Sequence, residues 1–442
     1  MGRPSQSRAL GVWANGIYVG RWIIPRNAPM EFAYDEAWVS SPEGRPLSLS
    51  LPFTLNALAV TGERVGNYFD NLLPDSEPIR RRIASRYGVA GRDPFDLLAA
   101  IGRDCVGAVQ LLPVGEVPQD VHTIRTKTLR DADVEQLLRG IPHADLPALT
   151  VESDFRISLA GAQEKTALTL RRGRWCVPLG STPTTHIFKL PLGLVGAREL
   201  DLSTSLENEW LCARLLGLLG VPVVQSELAQ FGGIKTLVIT RFDRRLHQSK
   251  KYWLRLPQED FCQATGTPSS AKYEAEGGPG LLEISRILAA SDARDTDLAT
   301  LLKAQLIFWM LAAIDGHAKN FSIHLLPEGR FCLTPIYDVI SAWPLVGNKA
   351  NQLHEKKLKL AMALRGKNKH YYVATLRRDH FNTTAHACGL GRDMNDIIDA
   401  TVDAIPAAID RVSGELPKGF PAYVFETITT GLKRMSRGLL RG

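Results

Sequence analysis

The nine-residue apolar run Leu306–Ile314 stops dead at Asp315, and that junction constrains the chain more than any other feature. Nine residues cannot cross a bilayer, so the run reads as a buried helix that delivers a carboxylate to the edge of a core. Asn320 follows five residues later. Two apolar stretches, 321–326 and 331–336, then flank the turn Pro327-Glu-Gly-Arg330, and the second ends in Tyr337-Asp338. A hairpin returns the chain to its origin, which places Asp338 beside Asn320 and Asp315. Two carboxylates and an amide at one spot form an oxygen-rich set of the kind Mg2+ takes. The bare spacing Asp-x4-Asn…Asp recurs by chance in many proteins; its place after a buried helix and around a hairpin gives it weight.

Base Asp, Asn five residues on, then a metal-binding Asp is the order of phosphoryl-transfer sites of the protein-kinase type. Such a site needs a phosphate anchor from another part of the chain. Lys189 lies in the apolar strand 186–190, where an ammonium is costly unless paired. Glu209, twenty residues on, sits on the predicted helix 206–219 and is its natural partner. An edge-strand lysine that only aids solubility is the competing reading. Upstream, Ser158-Leu-Ala-Gly161-Ala162-Gln163-Glu164-Lys165-Thr166 can curl over phosphates through backbone N–H groups, although one glycine makes a weak phosphate loop. No GxxxxGK[ST], GxGxxG or GxSxG pattern is present. His317 reads as a neighbour of Asp315 rather than as a metal ligand.

The 442 residues, 45% hydrophobic and 22% charged, describe a folded protein of two to four domains or lobes. Six cysteines spread singly read as reduced thiols of a cytoplasmic protein, and no Cys or His spacing suits zinc. The N-terminal residues lack an apolar signal core, so no membrane association is expected. Residues 9–50 read as strands, with a hairpin at Asn15-Gly16, and residues 65–103 read as helical. From 154 to 240 strands dominate around the helix 206–219. Beyond 245 the chain reads as helical, interrupted by one hairpin near 321–337. The boundaries are therefore 1–148, 149–244 and 245–442, an α+β, bilobal architecture with a cleft between lobes. Between Lys349 and His380 nine Lys and Arg stand against Glu355 and Asp379, an excess as large as the whole chain's net charge of +7. Both a polyanion-binding surface and a plain solvated face fit that stretch.

Many blocks in order resemble the HipA family, the serine/threonine kinase toxins of bacterial HipBA toxin–antitoxin modules. They include Arg45-Pro-Leu-Ser-Leu-Ser-Leu-Pro52, Tyr68-Phe-Asp-Asn-Leu-Leu-Pro-Asp75, Ile101-Gly-Arg-Asp-Cys-Val-Gly-Ala108 and Phe155-Arg-Ile-Ser158. Further on come Arg241-Phe-Asp-Arg-Arg245, Leu256-Pro-Gln-Glu-Asp260, Asp315-Gly-His-Ala-Lys-Asn320 and Tyr337-Asp338. The resemblance implies a protein-kinase-like fold, closest to phosphoinositide kinases, with an extra N-terminal subdomain and a helical C-terminal lobe. It implies ATP and Mg2+ as cofactors, Asp315 as catalytic base, and Asn320 and Asp338 as metal ligands. It places Lys189 on the phosphates, with 151–166 as the loop covering them. Backbone groups of Thr240-Arg241-Phe242 would form the adenine hinge, with Gln258 and His317 lining the cleft. Ser158 matches the serine that family members autophosphorylate, a modification adding about −1.5 to −2 charges.

The implied partners are a HipB-like helix-turn-helix antitoxin and, through it, operator DNA, which would bring the chain to the nucleoid. The 349–380 stretch would touch phosphate backbone. Family members phosphorylate an aminoacyl-tRNA synthetase, notably glutamyl-tRNA synthetase, so the same substrate class and growth arrest are implied here. A kinase-like but catalytically silent co-repressor is the alternative reading.

Overall fold

The computed structural model describes residues 7–54, 58–142, 158–161 and 163–440. The domain boundary expected near 148, residues 151–157 of the expected phosphate loop, and Ala162 lie outside the described residues.

The N-terminal part is a five-stranded antiparallel sheet, in spatial order Ala59–Thr61, Glu31–Tyr34, Ile17–Ile24, Arg8–Ala14 and Val109–Pro113. Asn15 and Gly16 both take positive φ (49° and 85°), the tight hairpin turn that their sequence predicts. Helices Glu63–Asp70, Glu77–Arg86 and Pro94–Ile101 accompany the sheet. Trp22 and Phe69, both fully buried, stack at 4.1 Å in the core between sheet and helices.

A second, six-stranded antiparallel sheet follows in the order Ser226–Phe231, Ile234–Thr240, His186–Lys189, Lys165–Arg171, Arg174–Pro178 and Thr126–Thr128. The last strand and the helix Asp131–Gly140 were expected in the N-terminal subdomain; they belong here instead. Val134 and Leu138 of that helix bury with Leu168, Val177 and Phe188 of the sheet, and an apolar face goes where it can be covered.

The remainder packs around the helix Arg294–Leu311, apolar on nearly every side because it is enclosed by Leu281–Leu288, Asn395–Gly414 and Ala422–Leu439. Helix Ser205–Leu218 of the second lobe shares this core, which ties the two lobes together. The expected hairpin is present as Ser322–Leu325 and Phe331–Leu333, and Gln258–Asp260 adds a third strand. It is not the sole interruption: Arg244–Leu246 pairs with Trp253–Arg255, and Lys359–Arg365 with Lys369–Tyr372. The run Leu360–Leu364 inside the basic stretch is buried, so its continuous apolarity marks a core strand. Among the described residues no helix is long and apolar enough to cross a membrane. The result is a bilobal, kinase-like α+β body carrying an N-terminal subdomain.

Candidate active site

A single cleft gathers residues from all three parts of the chain. Its floor is set by the end of helix Arg294–Leu311. There Ala312 takes a left-handed backbone (φ 47°) and stops the helix, so the following turn presents Asp315 at the cleft mouth, its side chain 60% exposed. The short turn Ala318–Asn320 then buries Asn320. The hairpin brings Asp338 back as expected: Asn320 Nδ2 donates to the Asp338 carbonyl oxygen at 3.1 Å. Asp338 holds φ at 61°, uncommon for a residue with a Cβ, and its carboxylate turns toward the upper lobe.

From the strand His186–Lys189 the Lys189 ammonium reaches Asp338 Oδ1 at 2.6 Å and Glu209 Oε1 at 2.7 Å. Glu209 sits on the first half of helix Ser205–Leu218, fully enclosed, so the expected pair exists within the upper lobe, and Asp338 joins it from the lower one. Burial opposes the lysine charge, but the two carboxylates outweigh it and hold Lys189 above its usual range. In turn, the ammonium keeps Asp338 well below the ordinary carboxylate range despite burial. Lys165 lies directly across the strand pair from Lys189; burial and that neighbouring charge lower it to about 8.

The residues expected to cover phosphates divide. Gly161 adopts φ 103°, open to glycine, and a Cβ there would lie 2.6 Å from the Lys165 ammonium, which itself donates to the Ala160 carbonyl at 2.6 Å. Gln163 turns inward to donate to the Leu190 carbonyl, and Glu164 pairs with Arg82. Thr166 is a strand residue opposite Phe188. Ser158 is completely buried, donating to the Leu72 carbonyl at 2.7 Å.

At the expected hinge two backbone donors are already used. The N–H of Thr240 is taken by Gln225 O and that of Arg241 by Thr185 O, both at 2.9 Å, so neither is free for a nucleotide base. The Arg241 side chain points away into a buried ionic cluster with Asp104, Asp243, Arg244 and Arg255, bonded to Asp243 and Thr184. Phe242 does face the cleft, stacked near Tyr337 at 5.8 Å; with Ile187, Val224 and Ile239 it makes an apolar slot. Gln258 lines the same space.

Could this site hold Mg2+? Asn320 Nδ2 is fixed by its hydrogen bond, which directs Oδ1 the other way, and that buried oxygen has no partner among the described residues. With the Asp338 carboxylate it makes a two-oxygen set. No group of three or more His, Cys, Asp or Glu able to hold a metal occurs among the described residues. A pair of oxygen ligands fits Mg2+, which keeps waters and takes the rest of its shell from substrate phosphates. His317 is buried with Nε2 3.9 Å from Asp315; burial lowers it to about 3, so the ring is neutral.

Asn71, Asp75, Lys272 and Lys319 also line the cleft and carried no role in the sequence reading. Asp75 accepts from Lys319 at 2.8 Å and Lys272 at 3.0 Å, and the two ammonium groups lower it to about 2 against its burial. The one signal for it was the block Asn71-Leu-Leu-Pro-Asp75, legible by resemblance but without periodicity or spacing.

Residues 10–112 match the HipA N-terminal domain and residues 157–409 the HipA-like C-terminal domain. A curated relative, the putative kinase Y4mE of Sinorhizobium fredii, is 32% identical over 92% of this chain and 93% of its own length. The serine/threonine-protein kinase toxin HipA of Shewanella oneidensis is 28% identical over 70% of this chain and 69% of its own. The solved complex of Shewanella oneidensis HipA with HipB and operator DNA superimposes with a TM-score of 0.78 at 23% identity, covering 98% of this chain and 97% of that one. The two domain matches stand in order on either side of the segment that joins the N-terminal sheet to the cleft, and the second alone takes in more than half the residues: the chain belongs to the HipA family.

Proposed function

We propose that this chain is an ATP- and Mg2+-dependent serine/threonine protein kinase, the toxin of a toxin–antitoxin module. The observation that carries the reading is the Lys189 ammonium bridging Glu209 and Asp338, with the unpartnered Asn320 oxygen beside the same carboxylate. Lys189 anchors phosphates, Asp338 and Asn320 supply the metal's protein oxygens, and the apolar slot at Phe242 takes the base. Asp315 accepts a hydrogen bond from the substrate hydroxyl and receives its proton as the new phosphate ester forms and the bond from the γ-phosphorus to the departing ADP breaks. Bound Mg·ATP supplies the phosphoryl group and neutralises its charge. Although the Asp315 carboxylate opens to the cleft mouth, the protein packed around it raises it above an ordinary aspartate against the Tyr273 hydrogen bond, which favours proton acceptance.

Asp315→Asn keeps the side-chain shape. It is expected to cut labelled-phosphate transfer by about 10²–10⁴-fold with no change in unfolding temperature; undiminished transfer would overturn the reading. Ser158 is proposed as an autophosphorylation site. Since its hydroxyl is buried against Leu72, the modified segment must leave this position, which would silence the enzyme. Mass spectrometry of the chain after incubation with Mg·ATP tests this directly.

The antitoxin and operator named with the Shewanella complex are proposed as partners here too, with an aminoacyl-tRNA synthetase as substrate class. A specific observation favours a co-repressor role beside catalysis: seven of the nine cations between Lys349 and His380 are exposed. Of these, Lys369 is tied to Glu274 at 2.8 Å. Charge-removing changes at Lys356 and Lys357 should then reduce the salt dependence of operator binding by the antitoxin-bound chain.

A further inference from the structure

The turn Lys272-Tyr273-Glu274 is held at both ends while its centre touches the candidate base. Lys272 Nζ donates to Asp75 of the N-terminal subdomain at 3.0 Å. Glu274, its side chain 7% exposed, accepts from the Ala363 N–H at 2.6 Å and from Lys369 Nζ at 2.8 Å, both on the basic hairpin. Gly280 leaves room for it: a Cβ there would lie 2.3 Å from the Glu274 carboxyl carbon. Between these anchors the Tyr273 hydroxyl donates to Asp315 Oδ1, and its ring meets His317 edge-on at 5.1 Å. Among the described residues Tyr273 is the one side chain that donates a hydrogen bond to Asp315. Burial and the adjacent carboxylate hold the phenol far above its usual range, so it stays a donor.

An exposed aspartate at a cleft mouth has free rotation about two bonds, and proton acceptance requires one oxygen aimed at the incoming hydroxyl. We propose that Tyr273 is the positioning residue of the phosphoryl-transfer site: it fixes one Asp315 oxygen and thereby directs the other toward the substrate hydroxyl. The anchors on Asp75 and on the hairpin 359–372 hold the tyrosine in register. This rests on Asp315 being the base.

The test uses the full-length chain with Mg·ATP, reading labelled γ-phosphate incorporated into the chain itself and into casein. Tyr273→Phe is expected to lower kcat roughly 10- to 100-fold, with KM for ATP and the unfolding temperature unchanged. Combined with Asp315→Asn it should cause no loss beyond that of Asp315→Asn alone, because its effect passes through that carboxylate. Glu274→Gln, which loosens the anchor from a distance, should lower kcat in the same direction by less, and again not in the Asp315→Asn background; it decides the matter should Tyr273→Phe fold poorly. An unchanged kcat in Tyr273→Phe, or an equal further loss in the Asp315→Asn background, overturns the positioning role while leaving the kinase reading intact. Full activity of Asp315→Asn, or no incorporation by the unaltered chain, overturns both.

Discussion

Two buried ionic clusters lie within the same cleft wall and are built on opposite plans. Behind the Phe242 strand end, Asp104 and Asp243 are enclosed by Arg241, Arg244 and Arg255, all five buried. The guanidinium forks share their remaining donors among the carbonyls of Cys105, Gly107, Ser181 and Thr184. Asp104 also accepts from the Thr184 N–H and hydroxyl, at 3.0 and 2.6 Å. The cluster proposed as the active site instead uses lysines, and polar atoms are left over: Glu209 Oε2, Asn320 Oδ1, His317 Nδ1 and Gln258 Oε1 are buried without partners among the described residues. Planar forks with several fixed donors lock three chain segments in one arrangement. Point-charge ammonium groups can exchange one oxygen for another. Saturation marks a joint, and leftover capacity marks a place for a ligand.

That contrast can be broken by mutation. Asp338→Asn should reduce phosphate transfer about 10³-fold or more, since it removes the proposed metal oxygen and the lysine partner together, while the denaturation midpoint moves little; comparable loss of fold and function would erase the distinction. Asp104→Ala should do the reverse in kind, costing about 3–5 kcal/mol of stability by leaving Arg255 buried without a counter-charge and Arg241 and Arg244 with Asp243 alone, as read by urea unfolding.

A pH series sharpens the comparison. Asp75, lowered to about 2, gives stability that is fully present above pH ~4 and lost as pH falls toward 2. Glu259 is buried with no cation beside it among the described residues and raised from 4.5 to about 8. The folded state holds its proton longer than the unfolded chain, so its stability contribution is present below pH 4.5 and drains away as pH rises to about 8. Glu259→Gln should flatten that decline, on the order of 1 kcal/mol per pH unit. The smallest effect belongs outside: Arg378→Gln breaks a pair with Asp399 whose acid is half exposed, and should cost below about 1 kcal/mol in the same unfolding assay.

The sequence made the proposed catalytic residues legible because they come in local groups. Asp315, Asn320 and Asp338 span one helix exit and one hairpin, and Lys189 with Glu209 spans one strand and the next helix. Asp104 meeting Arg255, Asp75 meeting Lys319, and Tyr273 meeting Asp315 are pairings across long stretches of chain, and no periodicity announces them. The block Arg241-Phe-Asp-Arg-Arg245 shows the cost: its first residue reads as backbone of an adenine hinge, whereas its N–H is taken by the Thr185 carbonyl and its fork is spent on the joint. Strand Thr126–Thr128 and helix Asp131–Gly140 were misplaced for a related reason, since an amphipathic face tells that it will be covered but not by which sheet.

Asp75 has one more role than ion pairing. Its own N–H donates to the Gly161 carbonyl at 3.2 Å, so the residue that steadies Lys319 below also pins the glycine turn above. A fragment beginning after the N-terminal sheet would therefore lose, at a stroke, the clasp between its upper and lower jaws. Dissection of this protein into an autonomous catalytic half is expected to yield a folded but slack remnant.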